Sequence, residues 1–166
     1  LEGMQSVLDA MIEQEPDLRR VSLDRVVDNS VLEDLDRKGY HYRVVNLGVS
    51  GDTTTGGLGR LEYALSLKPE VLILELGGND GLRGVPVAQT KANLEQMIVR
   101  AQKTGAQVLL AGMTLPPNYG QQYIEQLEKV YKDLAAKYKV KLIPFLLEGV
   151  GGHTEFMQRD GLHPNA

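Results

Sequence analysis

The C-terminal segment Asp160-Gly-Leu-His-Pro-Asn165 holds an aspartate and a histidine at a spacing suited to acid–base catalysis. With two residues between them, Asp160 can accept a hydrogen bond from one imidazole nitrogen of His163 while the other nitrogen faces a substrate. Imidazole is also the usual general base near neutral pH. We therefore predict that Asp160 and His163 form a catalytic pair; the alternative is a surface turn.

Two glycine-rich segments could hold the negative charge that develops on a carbonyl oxygen. In Val49-Ser-Gly-Asp-Thr-Thr54, Gly51 would let the backbone N–H approach a substrate oxygen, and a helix starting just after it would add its positive end. In Gly77-Gly-Asn-Asp80, the Asn79 side chain carries an amide with two N–H donors. Fixed donors of this kind stabilise an oxyanion. Gly51 and Asn79 are thus predicted oxyanion-hole residues; the alternatives are an ordinary turn at each place and a helix cap after the first.

The elements that would position these residues follow an alternating pattern. Short apolar, β-branched runs, typical of strands buried on both faces, occur at residues 42–47, 71–76, 108–113 and 140–145. Helical spacing of apolar residues occurs between them, at residues 58–65, 94–101 and 124–138, and Gly105 is a suitable stop for the second helix. This alternation predicts a parallel sheet with helices on both faces. Ligands bind beyond the carboxyl ends of such strands, where both glycine-rich segments lie.

Composition narrows the possible functions. The 166 residues have a net charge of -4, which argues against nucleic acid as a main partner, and contain no cysteine, which excludes a thiolate nucleophile. The sequence contains no apolar run of about 18 residues, so no membrane span is predicted. Residues 1–30 show no signal-peptide pattern. A metal site from His153, Glu155, Asp160 and His163 can be drawn, but the spacing is not that of common zinc motifs, so we predict no metal.

Taken together and in this order, the segments resemble the SGNH (GDSL) hydrolase family, and most closely its bacterial thioesterase I/lysophospholipase (arylesterase) branch. The resemblance covers residues 39–166 and includes the three motifs above, the longer segment Leu74-Glu-Leu-Gly-Gly-Asn-Asp-Gly-Leu-Arg-Gly84 and the loop Leu115-Pro-Pro-Asn-Tyr-Gly120. It implies a three-layer α/β/α fold with a flavodoxin-like parallel sheet. A single domain over residues 1–166 is expected, with residues 1–38 atypical and the family's N-terminal strand and C-terminal helix missing or replaced.

The resemblance also implies a function. The family uses a serine nucleophile, which His163 would activate, and Asp160 would orient that histidine. The Gly51 N–H, the Asn79 side chain and the serine's own N–H would hold the oxyanion. Arg83 and the loop residues Pro117, Asn118 and Tyr119 match segments that border the acyl pocket. The expected substrate is a small-molecule acyl ester or thioester. The chain would hydrolyse it as an esterase, an acyl-CoA thioesterase or a lysophospholipase does, without a metal or organic cofactor. The family implies a periplasmic or secreted protein.

One departure from the family concerns the nucleophile. The family places its serine in a Gly-Asp-Ser-Leu motif, and no Gly-Asp-Ser occurs in this sequence. Ser22 is the serine at about the family's spacing before Gly51, and Arg20-Val21 precede it instead of a glycine. Two readings stay open. In the first, the chain is an active serine esterase or thioesterase whose nucleophile is Ser22 or is missing only from this sequence. In the second, it is a truncated or non-catalytic member that retains the acyl-binding cleft but lacks the nucleophile.

Overall fold

The computed structural model describes residues 37–39, 43–159, 161 and 163–165. Contacts divide the chain into two compact units, of which one is Gly48–Leu146. We call this segment the sheet unit, since it contains every strand and every complete helix of the described residues. The described residues on either side of it belong to the second unit, which we call the flanking unit.

Helices and strands alternate along the sheet unit. Helix α1 (Thr54–Ser66) is followed by strand β1 (Val71–Leu74), the short helix α2 (Gly78–Leu82) and the long helix α3 (Val87–Lys103). Strand β2 (Gln107–Ala111), a 3-10 helix (Pro117–Tyr119), helix α4 (Gln121–Tyr138) and strand β3 (Lys141–Ile143) complete the order. The three predicted helices are therefore confirmed, and each of the last three predicted strands is present in a shorter form.

Strand β2 lies between β1 and β3, and both pairings are parallel. The register sets Leu72 beside Val108, and Leu110 beside Leu142. Parallel strands that are joined through helices end at the same edge of a sheet. The loops that follow β1 and β2 therefore leave the sheet at one edge, as the sequence predicts.

Helices α3 and α4 pack on the sheet, and α1 packs on α3. The core between them is apolar and closed to solvent: Leu94, Ile98, Leu110 and Leu127 are all 0% exposed. Each buried side chain of this size stabilises the fold by about 1.5–3 kcal/mol. Leu109 points to the opposite face of β2 and is also 0% exposed. Its neighbour Ile73 on β1 is 47% exposed, so this second face is buried at β2 and open at β1. A parallel sheet that is flanked by helices agrees with the predicted three-layer α/β/α architecture.

Helix α3 ends where the sequence predicts. Its C-cap is Thr104, and Gly105 follows with a φ of 89°. The Gly105 N–H donates to the Gln102 carbonyl at 3.0 Å, and the Ala106 N–H donates to the Ala101 carbonyl at 3.3 Å. This pair of bonds is a Schellman motif, which needs a left-handed residue and so favours glycine.

The predicted strand at residues 42–47 differs from the structure. Among the described residues, 43–49 belong to neither a helix nor a strand. Val45 is 41% exposed, and Val44 and Leu47 are only half-buried, so the apolar residues of this run are not buried on two faces as a central strand would require. An apolar run favours a strand, but only pairing with a neighbour forms one. The expectation about the family's first strand falls on residues outside the described part, and it stays a prediction together with the division at residue 38.

Candidate active site

Gly51 occupies a tight turn directly before α1. The Asp52 N–H donates to the Val49 carbonyl at 3.1 Å, and Gly51, the third residue of the turn, has a φ of 74°. This turn position needs a positive φ and therefore favours glycine. Within the described part of the chain, the Gly51 N–H donates no hydrogen bond. It is available to an acceptor on a ligand.

Asn79 lies in the first turn of α2, just beyond β1. The preceding Gly77 has a φ of 108°, and a Cβ at this position would collide with the Tyr131 hydroxyl. That hydroxyl donates to the Leu76 carbonyl at 3.0 Å. Burial raises the pKa of Tyr131 far above the ordinary tyrosine value, so the hydroxyl stays protonated and keeps donating. The chain thus turns sharply at Gly77 and presents Asn79 at the edge of the sheet.

The Asn79 side chain is half-buried. No described residue accepts a hydrogen bond from its amide. Two N–H donors are therefore left for a group outside this part of the chain. The predicted oxyanion residues Gly51 and Asn79 share this property of an unused donor.

The acyl-pocket residues that the resemblance suggests lie at the same edge of the sheet unit. Arg83 follows α2 directly, and its Nη2 donates to the Gly51 carbonyl at 2.6 Å. Tyr119 donates through its hydroxyl to the Leu82 carbonyl at 3.2 Å. Pro117 and Asn118 are exposed on the 3-10 helix. The loops after β1 and β2 are thus brought together, while no ligand contact tests the roles of these residues.

A buried polar cluster lies behind the two loops, and sequence reasoning gave it no role. Asp80 is 0% exposed, as are Thr54 and Thr90. The Asp80 Oδ2 accepts the Thr54 N–H at 2.8 Å, and Oδ1 accepts the hydroxyls of Thr54 at 2.5 Å and Thr90 at 3.2 Å. Asn93, which is 8% exposed, donates from Nδ2 to the Thr54 hydroxyl at 3.0 Å. We call these four residues the Asp80 cluster.

The Asp80 cluster binds the N-terminus of α1. The N-cap residue Thr53 forms no side-chain cap, and the first helical N–H, that of Thr54, donates to Asp80. An acidic group at this position interacts favourably with the helix dipole. The first helical N–H of α1 is therefore bound by a carboxyl group of α2, and the expectation that this helix end faces a substrate oxygen next to Gly51 stays a prediction.

A second carboxyl group lies beside the same helix end. Asp52 forms an ion pair with Arg60 and accepts the Thr53 N–H at 2.8 Å. The Arg60 guanidinium, and after it the Thr53 N–H, hold the pKa of Asp52 below the ordinary aspartate value. The loop of Gly51 is thus attached to the body of α1 as well as to α2.

One sequence signal could have revealed the Asp80 cluster. Thr90 and Asn93 fall on the same helical face as Leu94, Met97 and Ala101, all of which are buried. Polar side chains on an apolar stripe are buried with partners or are functional. Asp80, the residue after the predicted oxyanion asparagine, is the acceptor that explains Thr90.

Of the predicted acid–base pair, only His163 lies among the described residues of the flanking unit. Asp160 lies outside the described residues. His163 is exposed, and its carbonyl accepts the Gln158 N–H at 2.7 Å beside an antiparallel bridge between Met157 and Pro164. The backbone around His163 therefore forms a short closed loop. The catalytic roles of Asp160 and His163 stay predictions.

The described residues contain neither a cluster suited to a metal ion nor a helix suited to a membrane. No group of three or more histidine, aspartate or glutamate side chains in this part of the chain is arranged to hold a metal ion. No described helix is both long enough and apolar enough to cross a bilayer.

The chain is similar to known proteins in sequence and in fold. A family model described as GDSL-like Lipase/Acylhydrolase matches residues 14–166. The esterase TesA of Pseudomonas aeruginosa is 55% identical over 128 residues, which cover 76% of this chain and 64% of the relative. The thioesterase 1/protease 1/lysophospholipase L1 of Escherichia coli is 43% identical over 123 residues, which cover 74% of this chain and 59% of the relative.

A solved structure gives the same result in three dimensions. The crystal structure of TesA superposes with a TM-score of 0.79 at 47% identity, covering 90% of this chain and 86% of that one. The chain spans somewhat less than two thirds of the length of the two curated relatives. Fold and sequence thus point to the same group of proteins.

Proposed function

Because the chain belongs to the GDSL-like lipase/acylhydrolase family, we propose that it hydrolyses carboxylic esters or thioesters of small acyl compounds. Relatives named as an esterase and as a thioesterase/lysophospholipase support this class of reaction. The proposed substrate is a small molecule, and the proposed chemistry uses neither a metal nor an organic cofactor.

The observation that carries the proposal is the pair of unused donors at the edge of the sheet. The Gly51 N–H and the Asn79 amide have no acceptor among the described residues. Both residues are half-buried, so a bound ligand can reach these donors. Donors that are fixed before the reaction favour the charge that develops on a carbonyl oxygen. Gly51 and Asn79 are therefore proposed to receive the oxyanion.

The remaining roles follow from the motifs. A nucleophilic oxygen adds to the carbonyl carbon, and its proton passes to His163, which Asp160 orients. The bond to the leaving alkoxide or thiolate then breaks, and His163 returns the proton to the leaving group. Water completes the hydrolysis by the same two steps. Ser22 is the proposed source of the nucleophile, and it lies outside the described residues.

Four residues are proposed to border the acyl group. Arg83 and Tyr119 contact the loops that carry the oxyanion donors, through Gly51 and Leu82 respectively. Pro117 and Asn118 are exposed beside them. A mainly apolar acyl chain fits a border of proline and tyrosine, while the guanidinium suits a polar or anionic leaving group.

A second candidate is a family member that binds acyl compounds without turning them over. The absence of Gly-Asp-Ser from the sequence favours it. A histidine and an oxyanion hole without a nucleophile retain only a small part of the catalysis, through attack by water.

A fluorophosphonate probe and p-nitrophenyl butyrate separate the two candidates. Under the main proposal, the probe labels the protein, the ester is hydrolysed, and both activities disappear in Ser22→Ala. Ser66→Ala is the matched control, because Ser66 lies on α1 and its hydroxyl donates to the Tyr63 carbonyl. This variant should retain both the labelling and the hydrolysis. If the probe still labels both Ser22→Ala and Ser66→Ala, Ser22 is rejected as the nucleophile. No labelling, with slow hydrolysis that survives Ser22→Ala and is lost in His163→Ala, would support the second candidate.

A further inference from the structure

The Asp80 cluster contains a carboxyl group without solvent contact that the proposed reaction does not use. Burying such a group is costly unless hydrogen bonds replace its water. Here three donors replace it, and two of them come from Thr54 on α1. The cluster therefore joins elements that are distant in sequence: the start of α1, the short helix α2, and α3.

The position of the cluster relates it to the proposed oxyanion hole. Asp80 is the residue after Asn79, and Thr54 comes three residues after Gly51. The bond from the Thr54 N–H to Asp80 thus connects the two segments that carry the donors, one residue after Asn79 and three residues after Gly51. Since the Gly51 N–H and the Asn79 amide have no described partners, neither donor can fix its own position.

We propose that Asp80 is the positioning residue of the oxyanion hole: by capping α1 from α2, it sets the loop of Gly51 relative to the loop of Asn79. This inference rests on the proposed function for its catalytic consequence. The structural part, that one buried carboxyl group fixes two loops, holds independently of turnover. Asn93 supports the same point, because its Nδ2 holds the Thr54 hydroxyl at 3.0 Å and the Thr55 hydroxyl at 3.1 Å.

Substitutions of Asp80 should have graded effects. Asp80→Ala removes every acceptor and leaves the Thr54 N–H buried without a partner. Asp80→Asn keeps an oxygen for the Thr54 N–H, and its amide can donate to hydroxyls that rotate to accept, so it should recover much of the loss. Thr54→Val removes the hydroxyl and keeps the backbone bond, so its effect should fall between Asp80→Ala and wild type.

The catalytic readout is the separation of kcat from KM with p-nitrophenyl butyrate. Misplaced oxyanion donors weaken binding of the transition state more than binding of the substrate. Asp80→Ala should lower kcat about 100-fold and change KM less than about threefold. Leu134→Ala controls for a general loss of stability, because Leu134 is fully buried on α4 and lies outside the Asp80 cluster. At a temperature where both variants are folded, it should keep kcat within about threefold of wild type.

A second readout does not need turnover. In ¹⁵N NMR spectra, Asp80→Ala should shift both the Gly51 backbone amide and the Asn79 side-chain amide, and Leu134→Ala should shift neither. If Asp80→Ala does not fold, Thr54→Val takes its place, with an expected loss in kcat of about tenfold.

The outcomes separate the two proposals. Shifted amides with a large loss in kcat for Asp80→Ala, recovered in part by Asp80→Asn, support the positioning role. Unmoved amides, or a kcat loss no larger than that of Leu134→Ala, overturn it. A wild-type protein without hydrolysis rejects the proposed function, and the two amide signals still decide whether Asp80 positions the loops.

Discussion

The Arg83 Nη2 donates a hydrogen bond to the Gly51 carbonyl oxygen at 2.6 Å. This bond joins the end of α2 to the turn before α1 on the exposed side, while Asp80 and Thr54 join the same two segments on the buried side. The loop of Gly51 is therefore held from both sides. An exposed bond is weakened by water and a buried one is not, so the two connections should differ in their contributions.

Replacing Arg83 tests the exposed connection. Arg83→Ala should lower kcat/KM for p-nitrophenyl butyrate about tenfold, the equivalent of one charge-assisted hydrogen bond. Arg83→Lys should recover part of this loss, because an ammonium group can reach a carbonyl oxygen but lacks the planar guanidinium. Steady-state kinetics measure both. A kcat/KM for Arg83→Ala equal to that of wild type would show that the bond does not position Gly51.

Gly77 should tolerate no side chain. A residue with a Cβ at a φ of 108° is strained by about 1–3 kcal/mol, and the Cβ would also collide with the Tyr131 hydroxyl. Gly77→Ala should therefore lower the free energy of unfolding more than Gly105→Ala. Gly105 also has a positive φ, of 89°, but no atom lies within 4 Å of its added Cβ. Urea denaturation gives both values, and equal losses would contradict the collision.

Tyr131 should stabilise the turn before Asn79 through its hydroxyl. Tyr131→Phe leaves the Leu76 carbonyl without its donor in a site where Tyr131 is 1% exposed, so the free energy of unfolding should fall by about 1–3 kcal/mol. Tyr119→Phe also removes a hydroxyl-to-carbonyl bond, at a half-buried position, and should cost less. Urea denaturation of the two variants checks the order. The reverse order would show that burial does not decide the strength of these bonds.

The ion pair between Asp52 and Arg60 predicts a pH effect. In the folded protein the pKa of Asp52 is lowered, chiefly by Arg60, so Asp52 contributes stability above its unfolded-state pKa. This contribution is lost as the pH falls through the folded-state pKa. Arg60→Gln should raise the folded-state pKa of Asp52 and so reduce the part of the acid-side loss of stability that Asp52 causes.

NMR titration of the Asp52 carboxyl carbon measures that change directly. Arg100→Gln is the control, since Arg100 pairs with Glu62 on a different part of α1. It should leave the Asp52 titration unchanged. An Asp52 titration that Arg60→Gln does not move would show that the pair is not formed in solution.

The sequence predicted the α/β sheet and its helices because these depend on local patterns. Leu94, Met97 and Ile98 repeat at helical spacing and are buried as expected, and Gly105 ends the helix because it can adopt a positive φ. The strand predicted at residues 42–47 was wrong for the described residues, because a run of apolar residues does not show whether a neighbouring strand is present to pair with it. Pairing depends on residues far away in sequence.

Only those parts of the candidate site that have a local sequence signal could be proposed from the sequence. Gly51 and Asn79 could be selected as candidates because each lies in a glycine-rich segment at a predicted strand end, and their roles as oxyanion donors stay predictions. The Asp80 cluster could not, since Thr54, Thr90 and Asn93 come from segments whose contact only the fold creates. Each of these residues alone is an ordinary polar side chain of a helix.

The central claim is that Gly51 and Asn79 stabilise an oxyanion, and Asn79→Ala tests it most directly. The measurement is kcat for p-nitrophenyl butyrate, compared with Gln96→Ala, which removes an exposed amide from α3 away from the loops. We expect Asn79→Ala to lower kcat by about 100- to 1,000-fold, as for the loss of one oxyanion donor, and Gln96→Ala to stay within about twofold of wild type. Wild-type hydrolysis that Asn79→Ala leaves unchanged would contradict this claim.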